Sequence, residues 1–308
     1  MPRCRLRERA ATTKPDRVPS LATQALLACL EAIEGDAALR RPERLGERIA
    51  AMDRLDALPF DDGDAPIRER AATLLARLEA DNQAVYRAVR RAIRRGEGGA
   101  AMRTWVHALA PSAGTPRDGH GYDALDALFA GVLPLDEPDG GGAPPPDMVF
   151  YQPTPARHIL DLIDRTGLGA ADTLVDLGSG LGHVPLLASI CTGARGIGIE
   201  RDPAYVASAR RCAEALGLEH VSFIAQDART ADLSAGTLFY LYTPFRGPVL
   251  RRVLDRLRQE AAVRCIRIAT LGPCTATVAE EPWLRPAEAQ RADRIAVFRS
   301  RAPASLAS

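Results

Sequence analysis

The sequence predicts an α/β protein, a Rossmann-like sheet with an antiparallel edge strand, preceded by an all-helical N-terminal region. Three observations carry this. From residue 173 onward, apolar runs of strand length alternate with helical patterns, the arrangement that builds a parallel sheet with helices on both faces. Over residues 21–133 the apolar side chains recur at spacings of three and four, with no strand-like alternation. Between these parts, Asp136 to Asp147 contains three successive glycines and then Pro144-Pro145-Pro146, a stretch suited to neither helix nor sheet, which reads as a linker.

Taken in order, residues 1–20 are basic, with Arg3, Arg5, Arg7, Arg9, Lys14 and Arg17 against Glu8 and Asp16. They lack a leader's clean apolar core and cleavage site and are expected to form a disordered tail. A helical domain is expected over 21–135. Its first helix spans Leu21 to Leu39. A second starts at Pro42, which the first helical turn tolerates, and carries Leu45, Ile49, Met52 and Leu55. After the break at Asp61-Asp62-Gly63, a long helix runs from Pro66 to Arg95 with Ile67, Ala71, Leu74, Leu78, Val85 and Val89 on one stripe, and Gly96 ends it. Shorter helices are expected over Met102–Leu109 and Tyr122–Phe129. Past the linker at 136–147, a second domain covers 148–303. Its strands are Thr173–Leu177, Arg195–Glu200, Val221–Gln226, Thr237–Tyr242 and Val263–Thr270, and its helices Ala156–Arg165, His183–Cys191, Pro203–Leu216 and Pro248–Gln259. Arg294 to Arg299 alternates and reads as the antiparallel edge strand.

Composition excludes several classes. Forty basic against thirty-nine acidic residues argue against a dedicated polyanion binder, so nucleic acid is not an expected partner. The six cysteines form no C-x-x-C pair and His107, His120, His158, His183 and His220 no ligand spacing, so no metal is expected. No apolar run approaches the ~18 residues of a membrane span, and a cytoplasmic protein is expected. Arg87, Arg90, Arg91, Arg94 and Arg95 fall on one helical face. They either dock an acidic macromolecule or form a solvated helix end favoured by the dipole.

The most informative stretch is Asp176-Leu177-Gly178-Ser179-Gly180-Leu181-Gly182, which leaves a strand and opens a helix. Glycine permits the tight turn and lets backbone N–H groups approach a ligand. Nicotinamide cofactors use G-x-G-x-x-G, with pyrophosphate at the helix N-terminus. Here the turn is G-x-G-x-G and follows an aspartate, which repels pyrophosphate and suits the ammonium of a methionine moiety. S-adenosylmethionine is therefore the expected cofactor. Glu200 closes the next strand, where a carboxylate can accept ribose hydroxyls. Asp227 closes the third, after Phe223 and Ile224, where it can hold an adenine.

On these residues the chain resembles the class I, seven-stranded S-adenosylmethionine-dependent methyltransferases over 173–260. From Tyr151 onward it is similar to the non-SET histone lysine methyltransferases named for disruption of telomeric silencing. That family places Tyr-Gly-Glu-Thr at a fixed distance before Asp-Leu-Gly-Ser-Gly-x-Gly, and Tyr151-Gln152-Pro153-Thr154 stands at that distance before Asp176. Pro153 replaces the family's glutamate, and Tyr242-Thr243 its two asparagines. The resemblance implies seven strands, methyl transfer with a protein lysine as leading acceptor, Glu200 as ribose ligand and Asp227 at the adenine. A small-metabolite methyltransferase and a non-catalytic cofactor-binding protein are the alternatives.

Tyr242, Thr243 and Phe245 leave the fourth strand and are the acceptor-side candidates; otherwise they form a proline turn with core aromatics. Tyr151 and Thr154 are expected at the cofactor's methionine end, or else Thr154 caps the helix at Ala156. The expected cofactor-binding set is thus Tyr151, Thr154, Asp176, Gly178, Gly180, Gly182, Glu200 and Asp227.

Overall fold

The computed structural model describes residues 21–61, 64–109, 123–136, 138, 152–288 and 294–301. Helices α1 (Leu21–Gly35), α2 (Leu45–Asp56), α3 (Ala65–Arg94), α4 (Gly98–Ala108) and α5 (Ala124–Val132) precede a sheet region. That region contains α6 (Ala156–Thr166), β1 (Thr173–Leu177), α7 (His183–Thr192), β2 (Arg195–Glu200), α8 (Pro203–Leu216), β3 (Val221–Ala225), β4 (Leu238–Leu241), α9 (Gly247–Val263), β5 (Arg267–Thr270), α10 (Cys274–Ala279), β6 (Leu284–Pro286) and β7 (Ala296–Ser300). The sheet order is β3-β2-β1-β4-β5-β7-β6, with β1 to β5 parallel. β7 is antiparallel to both neighbours. This is the seven-stranded, Rossmann-like sheet with an antiparallel edge strand expected from the sequence. The antiparallel strand read at Arg294–Arg299 is β7, and the short β6 lies outside it. Strand order reverses between β1 and β4, which opens a crevice beyond their carboxyl ends.

Alternation along the strands divides the sheet's side chains between two cores. Leu174, Leu238, Tyr240, Ala269 and Val297 meet α6, α7 and α8 on one face. Val175, Leu177, Phe239, Leu241, Ile268 and Phe298 meet α9 and α10 on the other.

The helical region uses one long helix to serve two cores. Leu74 and Leu78 of α3 pack with Leu30, Ile33, Ala51 and Leu55 of α1 and α2. Further along, Val85, Tyr86, Val89 and Ile93 join Met102, Leu125 and Leu128 in the core that continues into α6, α7 and α8. Arg48 is fully buried in this region, donating to Asn82 Oδ1 (2.6 Å) and to the carbonyls of Leu39 (2.6 Å) and Arg41 (2.8 Å). Of the expected linker, only Asp136 and Pro138 are among the described residues, and the basic segment 1–20 lies outside them. The Asp136 N–H donates to Ser208 Oγ of α8 (2.9 Å).

Several boundaries differ from the sequence reading. The helix expected over Leu21–Leu39 stops at Gly35, because Asp36 accepts from the Ala38 N–H (2.9 Å) and starts a separate 3-10 turn over Ala37–Arg40. α4 begins earlier than expected, at Gly98. α5 is shifted to Ala124–Val132 by the capping box of Asp123 and Asp126. Val263 ends α9 rather than starting a strand. The reason is Arg264, which pairs with Glu260 (2.9 Å) and donates to the carbonyls of Gly236 and Leu233.

The arginine stripe is largely tied into the fold. Arg90 donates to the carbonyls of Val132 (2.8 Å) and Gly131 (2.5 Å), Arg94 to that of Ala215 (2.8 Å), and Arg95 pairs with Glu97 (2.7 Å). Arg87 and Arg91 are exposed. Among the described residues no helix is long and apolar enough to cross a membrane.

Candidate cofactor site

The glycine loop is hooked onto the end of β2. The N–H groups of Gly178 and Ser179 donate to the Ile199 carbonyl (2.8 and 3.1 Å), and the Gly180 N–H donates to Glu200 Oε2 (2.9 Å). Glu200 Oε1 accepts from the N–H groups of Arg201 (2.7 Å) and Asp202 (2.9 Å). A carboxylate has about four lone-pair sites, and three are filled by backbone. The remaining one lies on Oε2, so Glu200 in this arrangement offers a single acceptor position to a ribose hydroxyl.

The loop glycines take positive φ, 87° at Gly178, 51° at Gly180 and 83° at Gly182. At two of them the neighbours also demand glycine. A Cβ on Gly178 would lie 2.3 Å from Pro244 Cβ, and one on Gly182 would lie 2.3 Å from the Phe223 ring. Pro244 therefore rests directly on the loop, which brings the exit of β4 to the end of β1.

Asp176 sits in register with Tyr240 across β1 and β4. It is 5% exposed, and no side-chain hydrogen bond reaches its carboxylate among the described residues. Burial, reinforced by the charge of Glu200, raises its pKa well above the usual carboxylate range. Tyr240 is 1% exposed, and its hydroxyl shares a hydrogen bond with Thr154 Oγ1 (3.1 Å). Thr154 is therefore not the helix cap. Pro155 takes the cap position of α6, and the Ala156 N–H instead donates to Asp126 Oδ1 of α5 (2.7 Å). Tyr151 lies outside the described residues.

Asp227 follows β3 and pairs with Arg229 (2.6 Å), which holds its carboxyl below the usual range; its side chain remains 31% exposed. Ile224, three residues earlier on β3, is among the few exposed large apolar side chains of the described residues, at 38%. His183 opens α7, and burial pushes its pKa down to about 4, so the imidazole is neutral near pH 7.

Past β4, Thr243 adopts φ 41°, which stands alone among the described non-glycine residues. Its hydroxyl donates to the Leu271 carbonyl (3.1 Å) and accepts from the Cys274 N–H (3.2 Å). Phe245 is 5% exposed and belongs to the α9 core. Tyr242 is half-buried. The turn thus commits Thr243 and Phe245 to holding the exit of β4 in place and leaves Tyr242 as its more accessible side chain.

Methyltransferases are among the solved structures this chain is similar to. An RNA methyltransferase from Salinibacter ruber, in complex with S-adenosyl-L-homocysteine, is 27% identical; the match covers 50% of this chain and 95% of that one, with a TM-score of 0.42. A SAM-dependent methyltransferase from Aquifex aeolicus is 16% identical, over 46% and 88% of the two chains, with a TM-score of 0.37. A tRNA (uracil-54, C5)-methyltransferase from Pyrococcus abyssi, in complex with S-adenosyl-L-homocysteine, is 16% identical, over 48% and 39%, with a TM-score of 0.38. No family model matches the sequence, and no curated protein matches it significantly.

Replacing Glu200 tests the ribose contact expected from the sequence. Hydrogen bonds to charged groups contribute about 1.5–3 kcal/mol, so Glu200→Ala is expected to weaken cofactor binding by roughly one to two orders of magnitude. Thermal stability should fall as well, because three backbone N–H groups lose their acceptor. Calorimetry and a melting curve read the two effects. Unchanged affinity would move the ribose away from β2.

Proposed function

We propose that this chain is an S-adenosylmethionine-dependent methyltransferase. The observation that carries the reading is Asp176, a buried carboxylate with no hydrogen-bond donor among the described residues, beside a glycine loop and Glu200. A primary ammonium is the group that fits it, supplying the opposite charge and the hydrogen-bond donors that the buried carboxylate needs. In this reading Gly178, Gly180 and Gly182 shape the loop around the cofactor, and Glu200 accepts a ribose hydroxyl on Oε2. Asp227 and Ile224 flank the adenine. Tyr151 and Thr154 belong to the methionine side, with Thr154 acting through Tyr240.

When bound, the cofactor supplies a methyl group already activated on a sulfonium. The protein's task is to align an acceptor with it and exclude water. Tyr242, Thr243 and Phe245 would take the acceptor side. Thr243 and Phe245 fix the course of the turn, and Tyr242 presents a hydroxyl to the incoming group. The acceptor is read as a nitrogen, with a protein lysine first, on the resemblance of the segment from Tyr151 onward. A small-metabolite acceptor is the second reading, favoured by the contact of α5 with the start of α6, which sets the helical region beside Thr154 as a lid would be.

Incubation with methyl-labelled cofactor and a whole-cell lysate, followed by separation of protein, nucleic acid and small molecules, tests both. Label in the protein fraction is expected. Label confined to small molecules would favour the second reading, label in nucleic acid would refute both acceptors, and no transfer would refute catalysis.

With the acceptor in hand, Tyr242→Phe should lower kcat about three- to tenfold, the loss of one hydrogen bond in the transition state, while cofactor Kd stays within twofold. That split marks alignment rather than ground-state binding. An unchanged kcat would remove Tyr242 from the acceptor side.

A further inference from the structure

We propose that Asp126 of α5 is a positioning residue for the cofactor site, acting from the helical region through the N-terminus of α6. The inference rests on the methyltransferase reading of that site. One carboxylate serves two helix starts. Asp126 Oδ2 accepts from the Asp123 N–H (2.8 Å), completing the capping box of α5, and Oδ1 accepts from the Ala156 N–H at the start of α6 (2.7 Å). α6 has no side-chain cap of its own, since proline occupies the cap position. Its orphan N–H groups and positive dipole end need an acceptor, and Asp126 provides one from thirty residues earlier.

What α6 carries makes the contact consequential. Two residues before Ala156, Thr154 shares its hydroxyl with Tyr240, and Tyr240 stands opposite Asp176 in the sheet. Thr154, Tyr240 and Asp176 are 8%, 1% and 5% exposed, so the three lie inside the protein with little room to readjust. The path from Asp126 to the carboxylate that would hold the cofactor's ammonium therefore has four links: to Ala156, along the chain to Thr154, to Tyr240, and across the sheet to Asp176. If the α6 start drifts, the Tyr240 hydroxyl loses its partner beside Asp176. The helical region then contributes to cofactor affinity without touching the cofactor.

The test uses the full chain and S-adenosylhomocysteine binding by calorimetry. Asp126→Ala should weaken Kd about tenfold or more. Asp123→Ala is the control: it removes the acceptor of the Leu125 N–H (2.8 Å) and uncaps α5, yet leaves α6 alone. It should lower Tm comparably and leave Kd within twofold. Asp126→Asn keeps one oxygen for the Ala156 N–H and should recover most of the affinity. Should Asp126→Ala fail to fold, Thr154→Val breaks the next link and should weaken Kd by a similar factor. Wild-type affinity in Asp126→Ala, equal losses in the Asp126 and Asp123 variants, or wild-type affinity in Thr154→Val would overturn the inference. A wild-type chain that binds no S-adenosylhomocysteine would instead overturn the functional reading beneath it.

Discussion

Replacing Asp176 with alanine is expected to abolish measurable cofactor binding. Breaking a buried ion pair by removing one partner costs about 3–5 kcal/mol, or roughly two to three and a half orders of magnitude in Kd. Asp176→Asn should lose most of the same affinity, because the amide keeps the shape and discards the charge. The ligand-free protein should respond in the opposite direction. Burial and the Glu200 charge make ionised Asp176 costly in the folded chain, so its folded pKa lies above its unfolded one. Stability from this group is fully present below the ordinary aspartate range, and it is lost as pH rises through the raised value. At neutral pH the loss is relieved in Asp176→Asn, which should therefore melt higher than the wild type without cofactor. An incoming ammonium favours the ionised form, so affinity should rise with pH through the same window, and binding near its lower end should release a proton. Calorimetry in buffers of different ionisation enthalpy measures that release. A variant that binds normally, or melts lower at neutral pH, would contradict the role given to Asp176.

The second large effect is expected at Gly178. An alanine there pays twice. At φ 87° an L side chain is strained by about 1–2 kcal/mol, and its Cβ would stand 2.3 Å from Pro244 Cβ. Neither side can yield easily. Pro244 has a fixed ring and sits between Thr243, bonded to Leu271 and Cys274, and Phe245, buried in the α9 core. Overpacking of this kind adds about 1–3 kcal/mol, and the displaced loop should cost at least a hundredfold in cofactor affinity. Gly217→Ala separates the two costs. Its φ is 70°, but nothing lies within 4 Å of the added carbon. It should lose about 1–2 kcal/mol of stability and leave cofactor Kd unchanged. Melting curves and Kd for the two variants make the comparison. Equal behaviour would mean that the Pro244 contact carries no weight.

The sequence was most legible where punctuation residues stand at element boundaries. β1, β2 and α8 fall on the residues read from the pattern, because Gly178, Pro203 and Gly217 mark their ends chemically. The doubly wound plan followed from the alternation, and the loop with its flanking carboxylates was visible as a motif. What stayed hidden is held by groups distant in sequence. Thr154 looks like a cap, but its hydroxyl meets Tyr240 while Asp126 caps the helix. Val263 looks like the start of a strand, but Arg264 extends α9 by reaching carbonyls some thirty residues back. Thr243 and Phe245 could be read as acceptor-side residues or as a proline turn with core aromatics, and spacing did not show that one is bonded to the β5–α10 turn and the other is core. Glu200 was read as free to grip a ribose diol, though backbone N–H groups already occupy most of its lone pairs. Spacing along a chain reports which residues share a face; it does not report which partners a polar atom finds across the fold.

Titration of the 308-residue chain with S-adenosylmethionine, S-adenosylhomocysteine and NAD in one calorimetric series tests the cofactor assignment. Saturable binding of both adenosyl ligands, lost in Asp176→Ala, and no heat of binding for NAD are the expected results. Binding of NAD with no response to either adenosyl ligand would contradict the assignment.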